Sequence, residues 1–158
     1  MSRGESGFRI VGKSPMKVDG PGKVTGQTLF ADDVVLHRTL HCKILRSPVA
    51  HARIVSIDTS RAEALEGVKA VLTGETLPIP FGILPVSQDV HALCIDRVRF
   101  VGDPVAAVAA VDEATAFEAI QRIEVEYEKR EPLFDPAKAI RGDVEPLHDY
   151  GDDGNVHK

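Results

Sequence analysis

The sequence predicts an α/β fold of the α+β kind: a mixed sheet assembled from two strand–helix–strand units. Three observations predict it. Val105–Val111 is apolar at every position, as in a strand buried on both faces. Ile123–Glu128 alternates between apolar residues and glutamates, as in a strand with one wet face. Between them Ala116, Ile120 and Ile123 recur at helical spacing, with Phe117 beside the stripe.

From the start of the chain, Met1–Gly7 is polar and glycine-rich, and residues 1–10 are expected to be a flexible tail. Ile10–Gln27 carries Gly12, Pro15, Gly20, Pro21, Gly22 and Gly26, an irregular stretch dense in turn formers. It is not a phosphate loop, because Gly12-Lys13-Ser14 runs straight into Pro15 rather than into a helix. Thr39–Arg46 is expected as a strand with Leu40, Cys42 and Ile44 toward the core. Ser47-Pro48 breaks it, and Ala52–Asp58 forms the next strand. Thr59 or Ser60 caps a short helix over Arg61–Leu65, Gly67 ends it, and Val68–Leu72 returns as a strand.

Thr73–Asp89 is a long loop, yet it is rich in Leu, Ile, Phe and Val among Pro78, Pro80, Gly82 and Pro85. An apolar loop packs on something and is often functional. Ala92–Phe100 is expected as a strand broken near Asp96, with a turn at Gly102-Asp103-Pro104. Asp112 caps the helix Glu113–Arg122, and the strand–helix–strand order there implies a right-handed parallel crossover. Pro136–Ile140 reads as one helical turn. The expected domain covers 11–140, and 141–158 reads as a linker, acidic and glycine-rich toward its end.

The net charge of −5 and the scattered lysines and arginines argue against a nucleic-acid binder. No apolar run is long enough to span a bilayer, and no signal peptide opens the chain. Two cysteines in apolar contexts imply reduced thiols and a cytoplasmic location. His41-Cys42 and His91-x-x-Cys94 offer metal-ligand types, but strand neighbours point to opposite faces. Surface histidine and core cysteine is the plainer reading. Ser47 and His51 lack a nucleophile elbow and a defined third partner. Glu124, Glu126 and Glu128 form a solvated strand face rather than a catalytic pair. The residues therefore supply no self-contained active site, and no metal or cofactor is expected to bind this chain. The apolar loop Pro78–Gln88 is its one unusual feature.

Four strings also resemble a known family. Asp19-Gly20, Lys23-Val24-Thr25-Gly26 and Phe30-Ala31-Asp32-Asp33 form the first, and Leu45–Ile54 (LRSPVAHARI) the second. Asp96–Ala110 (DRVRFVGDPVAAVAA) is the third, and Val125-Glu126-Tyr127-Glu128 ahead of Pro132 the fourth. In order and spacing they resemble the molybdopterin-binding large subunits of the xanthine dehydrogenase and aldehyde oxidase family, over roughly Val11 to His148. The resemblance implies an amino-terminal α/β hammerhead domain without catalytic residues. It implies a molybdenum-dependent oxidoreductase in which molybdopterin cytosine dinucleotide or a related molybdenum cofactor, [2Fe-2S] clusters and, as an optional third group, FAD are all held elsewhere. The implied partners are the remainder of the large subunit, an iron–sulfur subunit and an optional FAD subunit. The implied substrate is a small aromatic, an aldehyde or a CoA thioester. By the same resemblance Leu84, Val86, Ser87 and Gln88 wall the substrate funnel, and Pro80–Pro85 is closest to the 4-hydroxybenzoyl-CoA reductase type. The competing expectation is a free-standing scaffold or binding module derived from that family.

Overall fold

Residues 8–82, 90–148 and 155–156 are described by the computed structural model of the chain. It divides into two units, Met1–His37 and Arg38–Lys158. In the first, helix α1 (Gly20–Val24) starts with Pro21 in its first turn, where the missing N–H costs nothing. Thr25 Oγ1 donates back to the Pro21 carbonyl at 2.8 Å. A single 3-10 turn follows at Ala31–Asp33. None of the described residues of this unit is buried, and its apolar side chains from Phe8 to Leu36 stand exposed.

The second unit holds β1 (His41–Arg46), β2 (Ala52–Asp58), α2 (Ser60–Glu63), β3 (Val68–Thr73) and the two-residue strands β4 (Pro80–Phe81), β5 (Val90–His91) and β6 (Arg97–Val98). Then come β7 (Pro104–Ala110), α3 (Glu113–Gln121), β8 (Glu124–Lys129) and α4 (Pro136–Arg141). Two three-stranded sheets result, ordered β1–β7–β3 and β6–β2–β8, beside the small pair β4–β5. The all-apolar strand β7 is central in the first sheet, as its composition requires.

The α/β class and both strand–helix–strand units are present, but the parallel crossover is not. Every strand pair among the described residues is antiparallel. Each helix instead passes the chain between sheets: α2 leads from β2 to β3, and α3 from β7 to β8. The physical reason lies in β8. A parallel neighbour of β7 is buried on both faces, and Glu124, Glu126 and Glu128 cannot be. They stay exposed or nearly so because β8 pairs with β2 in the second sheet. A bulge at Val55 lets β2 keep Ile54 opposite Tyr127 and Ser56 opposite Glu126.

The core forms two clusters. Ala106 and Val108 of β7 pack under Ala62 of α2, Ala119 of α3 and Ile123, with Leu45 and Val71 alongside. Small residues at Ala116 and Ala119 let α3 lie close to the sheet. Ala52, Cys94, Val98 and Val105 make the second cluster, which joins the two sheets.

Two other expectations are corrected. The face of β1 is inverted: Leu45 packs inward, whereas Leu40, Cys42 and Ile44 are exposed. Lys43 makes the inversion possible, laying its stem on the inner side while its ammonium pairs with Glu113. Cys42 is therefore not a core residue. The strand expected over Ala92–Phe100 reduces to β6, because the Cys94 N–H turns to the Pro104 carbonyl at 2.7 Å.

Candidate functional site

Among the described residues the buried polar side chains are Ser47, His51 and Asp103. They gather where the second, third and fourth sequence strings meet. Ser47 and Asp103 are joined through the backbone: Ser47 N–H donates to the Asp103 carbonyl and Gly102 N–H to the Ser47 carbonyl, both at 2.8 Å. Gly102 has φ +97, a left-handed conformation that suits glycine. Arg46 closes the outside of this turn by donating to the Gly102 carbonyl at 2.9 Å.

Each buried group has a local task. Ser47 Oγ donates to the Val49 carbonyl at 2.8 Å, accepts from the Val49 N–H, and hydrogen-bonds the Tyr127 hydroxyl. Burial pushes the Tyr127 phenol above its ordinary range. Asp103 accepts the Arg99 N–H at 2.8 Å and the Cys94 thiol. Burial, followed by the Asp103 carboxylate, pushes the Cys94 thiol strongly upward, which makes it a poor nucleophile and a poor metal ligand. His51 Nδ1 meets the Glu131 carbonyl at 2.9 Å, and its Nε2 is buried without a partner.

A buried Ser, His and Asp invite a hydrolase reading, and the hydrogen bonds refuse it. Neither Ser47 nor Asp103 bonds to the imidazole; both are spent on backbone and thiol partners. The constellation locks β1, β2 and β8 to the turn before β7. Sequence reasoning weighed Ser47 and His51 but missed Asp103, whose signal was an acid between a glycine and a proline at a turn.

The remaining candidates lie apart. His41 and Cys42 occupy adjacent positions of β1 and so opposite faces. Among the described residues no group of three His, Cys, Asp or Glu side chains is placed to hold a metal ion. Glu124 pairs with Arg61 and Glu128 with Arg53, each at 2.6 Å on the surface. The Arg53 guanidinium holds the Glu128 carboxyl below its ordinary range. Leu84, Val86, Ser87 and Gln88 lie outside the described residues. Their stems are fixed: β4 and β5 pair Pro80 with His91 and Phe81 with Val90, and Ile79, Phe81 and Val90 are exposed.

After β8 the chain is tied back to the domain. Asp135 caps α4, Arg130 pairs with Glu145, and Arg99 Nε donates to the Leu147 carbonyl at 2.7 Å.

Residues 25–131 match the family described as aldehyde oxidase and xanthine dehydrogenase, a/b hammerhead domain. The chain is 45% identical to a probable xanthine dehydrogenase component of Bacillus subtilis over 90% of its own length and 19% of that protein's. It is 39% identical to the nicotinate dehydrogenase large molybdopterin subunit of Eubacterium barkeri, covering 96% of itself and 35% of the relative. Among solved structures it superposes on quinoline 2-oxidoreductase of Pseudomonas putida 86 with a TM-score of 0.76 at 37% identity, over 85% of this chain and 18% of that one. Against the aldehyde oxidoreductase of Desulfovibrio desulfuricans the TM-score is 0.80 at 28% identity, over 95% and 18%. The chain thus spans between 16% and 35% of the length of the curated relatives it matches.

Proposed function

The chain belongs to the a/b hammerhead family of aldehyde oxidases and xanthine dehydrogenases, and on that premise we propose that it is the structural and substrate-funnel domain of a molybdenum-hydroxylase-type oxidoreductase. Exposed apolar side chains carry the reading. Among the described residues large apolar side chains stand exposed in each unit, Phe8, Met16 and Val18 in the first and Ile44 and Phe134 in the second. Soluble monomers do not leave so much apolar surface to water; domains of larger assemblies do.

The described residues do not fit a molybdenum cofactor. Their buried polar groups are committed to the backbone, and the one unpartnered atom, His51 Nε2, is sealed from solvent. The cofactor, as molybdopterin cytosine dinucleotide or a related form, would be held by the remainder of a large subunit. The [2Fe-2S] clusters would sit in an iron–sulfur subunit, and FAD, where used, in a third. This chain would supply packing and, through Leu84, Val86, Ser87 and Gln88, part of the substrate path. The exposed apolar flanks Ile79, Phe81 and Val90 support that role. The wording of Pro80–Pro85 favours a 4-hydroxybenzoyl-CoA reductase type acting on an aromatic CoA thioester; turnover of that thioester against xanthine and an aldehyde would decide it. The unpaired thiols Cys42 and Cys94 favour the cytoplasm, and no helix of the described residues is long and apolar enough to cross a membrane.

The test is to isolate the tagged chain from its source cells and measure chain masses, molybdenum and iron in the co-purifying material. A larger polypeptide arriving with both metals is expected. A monomer arriving alone and metal-free would overturn the reading in favour of a free-standing scaffold.

A further inference from the structure

By alternation His51 belongs to the outward side of the sheet β6–β2–β8. Its neighbour Ala52 points into the core, and Arg53, two positions on, is exposed. His51 is nevertheless only 4% exposed. Register supplies its neighbours. Ala52 stands opposite Val98 on β6 and Lys129 on β8. One residue further, the antiparallel register sets His51 between Arg99 and Arg130, and the Arg130 N–H donates to the His51 carbonyl at 2.9 Å. Two guanidiniums and an imidazole thus share one row of one face.

The segment after β8 lies on this row and touches every member of it. Glu145 pairs with Arg130, the Leu147 carbonyl accepts from Arg99 Nε at 2.7 Å, and the Glu131 carbonyl meets His51 Nδ1 at 2.9 Å. No residue from 131 to 148 is buried, and Phe134 and Ile140 stand exposed. A segment tied by surface polar contacts, with little buried apolar area, opens ahead of the sheets. Beneath it the polar groups are incompletely matched. Among the described residues the Arg99 guanidinium hydrogen-bonds only that carbonyl, and His51 Nε2 is buried with no partner. The next row on the same face is already compensated, Arg97 by Asp96 and Arg53 by Glu128.

We propose that Arg99, His51 and Arg130 form an oxyanion site, which Glu145 fills as an internal ligand until a diffusible dianion displaces it. Guanidiniums grip carboxylate and phosphate groups through paired N–H donors. Two strand spacings separate Arg99 from Arg130, about 9–10 Å between backbones. A compact dianion with two oxyanion groups, a pyrophosphate or a dicarboxylate, therefore reaches both. The single carboxylate of Glu145 answers only Arg130.

Pyrophosphate and malonate are titrated into the purified protein by calorimetry, with sodium chloride at matched ionic strength as the control. Glu145→Gln keeps the shape of the segment and removes the competing charge, and is expected to tighten dianion binding at least roughly tenfold, as loss of a competing closed state does. Hydrogen exchange is expected to quicken on dianion binding at the amides of Ala139 and Leu147, which now donate to the Asp135 carbonyl and to Asn155 Oδ1, while the β7 amides stay unchanged. Arg130→Gln in the Glu145→Gln background is expected to abolish binding, with the melting temperature as the check on folding. Tighter binding of either dianion supports the site and names its chemistry, phosphate or carboxylate. No saturable binding to Glu145→Gln, equal affinity with and without the Glu145 charge, an equal response to chloride, or binding that survives Arg130→Gln would overturn the proposal.

Discussion

The Nδ1 of His51 lies 2.9 Å from the carbonyl of Glu131, 80 residues further along the chain. A carbonyl only accepts, so Nδ1 is the donor of this bond, and Nε2 is buried with no partner. This one contact pins the start of β2 to the segment that follows β8. Arg130 N–H, donating to the His51 carbonyl at 2.9 Å, completes the join.

His51→Ala removes the donor and leaves a cavity, and should cost about 2–4 kcal/mol in urea unfolding. His51→Asn keeps an N–H near the position of Nδ1 and discards the orphan nitrogen, and should cost no more than about half as much. Equal losses for the two variants would assign the role to ring packing and not to the bond.

Gly74 is fixed by a backbone neighbour. A Cβ there would stand 2.2 Å from the Cys94 carbonyl oxygen, and main chain cannot swing aside as a side chain does. Gly74→Ala should destabilise by about 1–3 kcal/mol or more, as overpacking does. An unchanged denaturation midpoint would mean that the segment carrying Cys94 moves freely.

Asp112 caps α3 by accepting the Thr115 N–H at 2.7 Å, and the Thr115 bonds hold its carboxyl below the ordinary value. A depressed folded-state pKa contributes stability above the unfolded value near pH 4, and that contribution is lost as pH falls through the folded value. Asp112→Ala should therefore melt a few degrees below the unaltered chain at neutral pH, and the gap should close in strong acid. A gap independent of pH would show that the carboxylate charge is not what caps the helix.

On the proposed funnel role, Val86→Trp in the assembled enzyme should raise KM several-fold while kcat changes by less than about twofold, the pattern of lost access and not of lost chemistry. Steady-state kinetics on Val86, Ser87 and Gln88 variants check this. Unaltered constants throughout would remove the loop from the substrate path.

How much of this was legible depended on whether a residue's environment came from its own chain. The central strand within Val105–Val111, the Asp112 cap and the wet glutamate face followed from period and composition, although Ala107 and Ala109 are only partly covered and Val111 is exposed. The face of β1 did not follow. Leu40, Cys42 and Ile44 are as apolar as a core requires, and pattern alone cannot say that Leu45, in the opposite phase, is the side the helices cover. Sheet membership was hidden for a similar reason: a helix between two strands looks alike whether it returns to one sheet or passes to the next. At the site, Ser47 and His51 stood out by residue type. Their tasks became visible only when Asp103, Tyr127 and Glu131 were beside them in space.

The passing of each helix from one sheet to the other also sets when this chain can fold. β1 has no sheet neighbour until Ala110 has been made, and β2 lacks its main neighbour until Lys129 has. Almost the whole domain must leave the ribosome before either sheet can close, so the nascent chain holds its apolar strands unpaired through most of its synthesis. Such long-range pairings place it among the slow folders, and make the growing polypeptide a natural client for chaperones long before any partner subunit meets it.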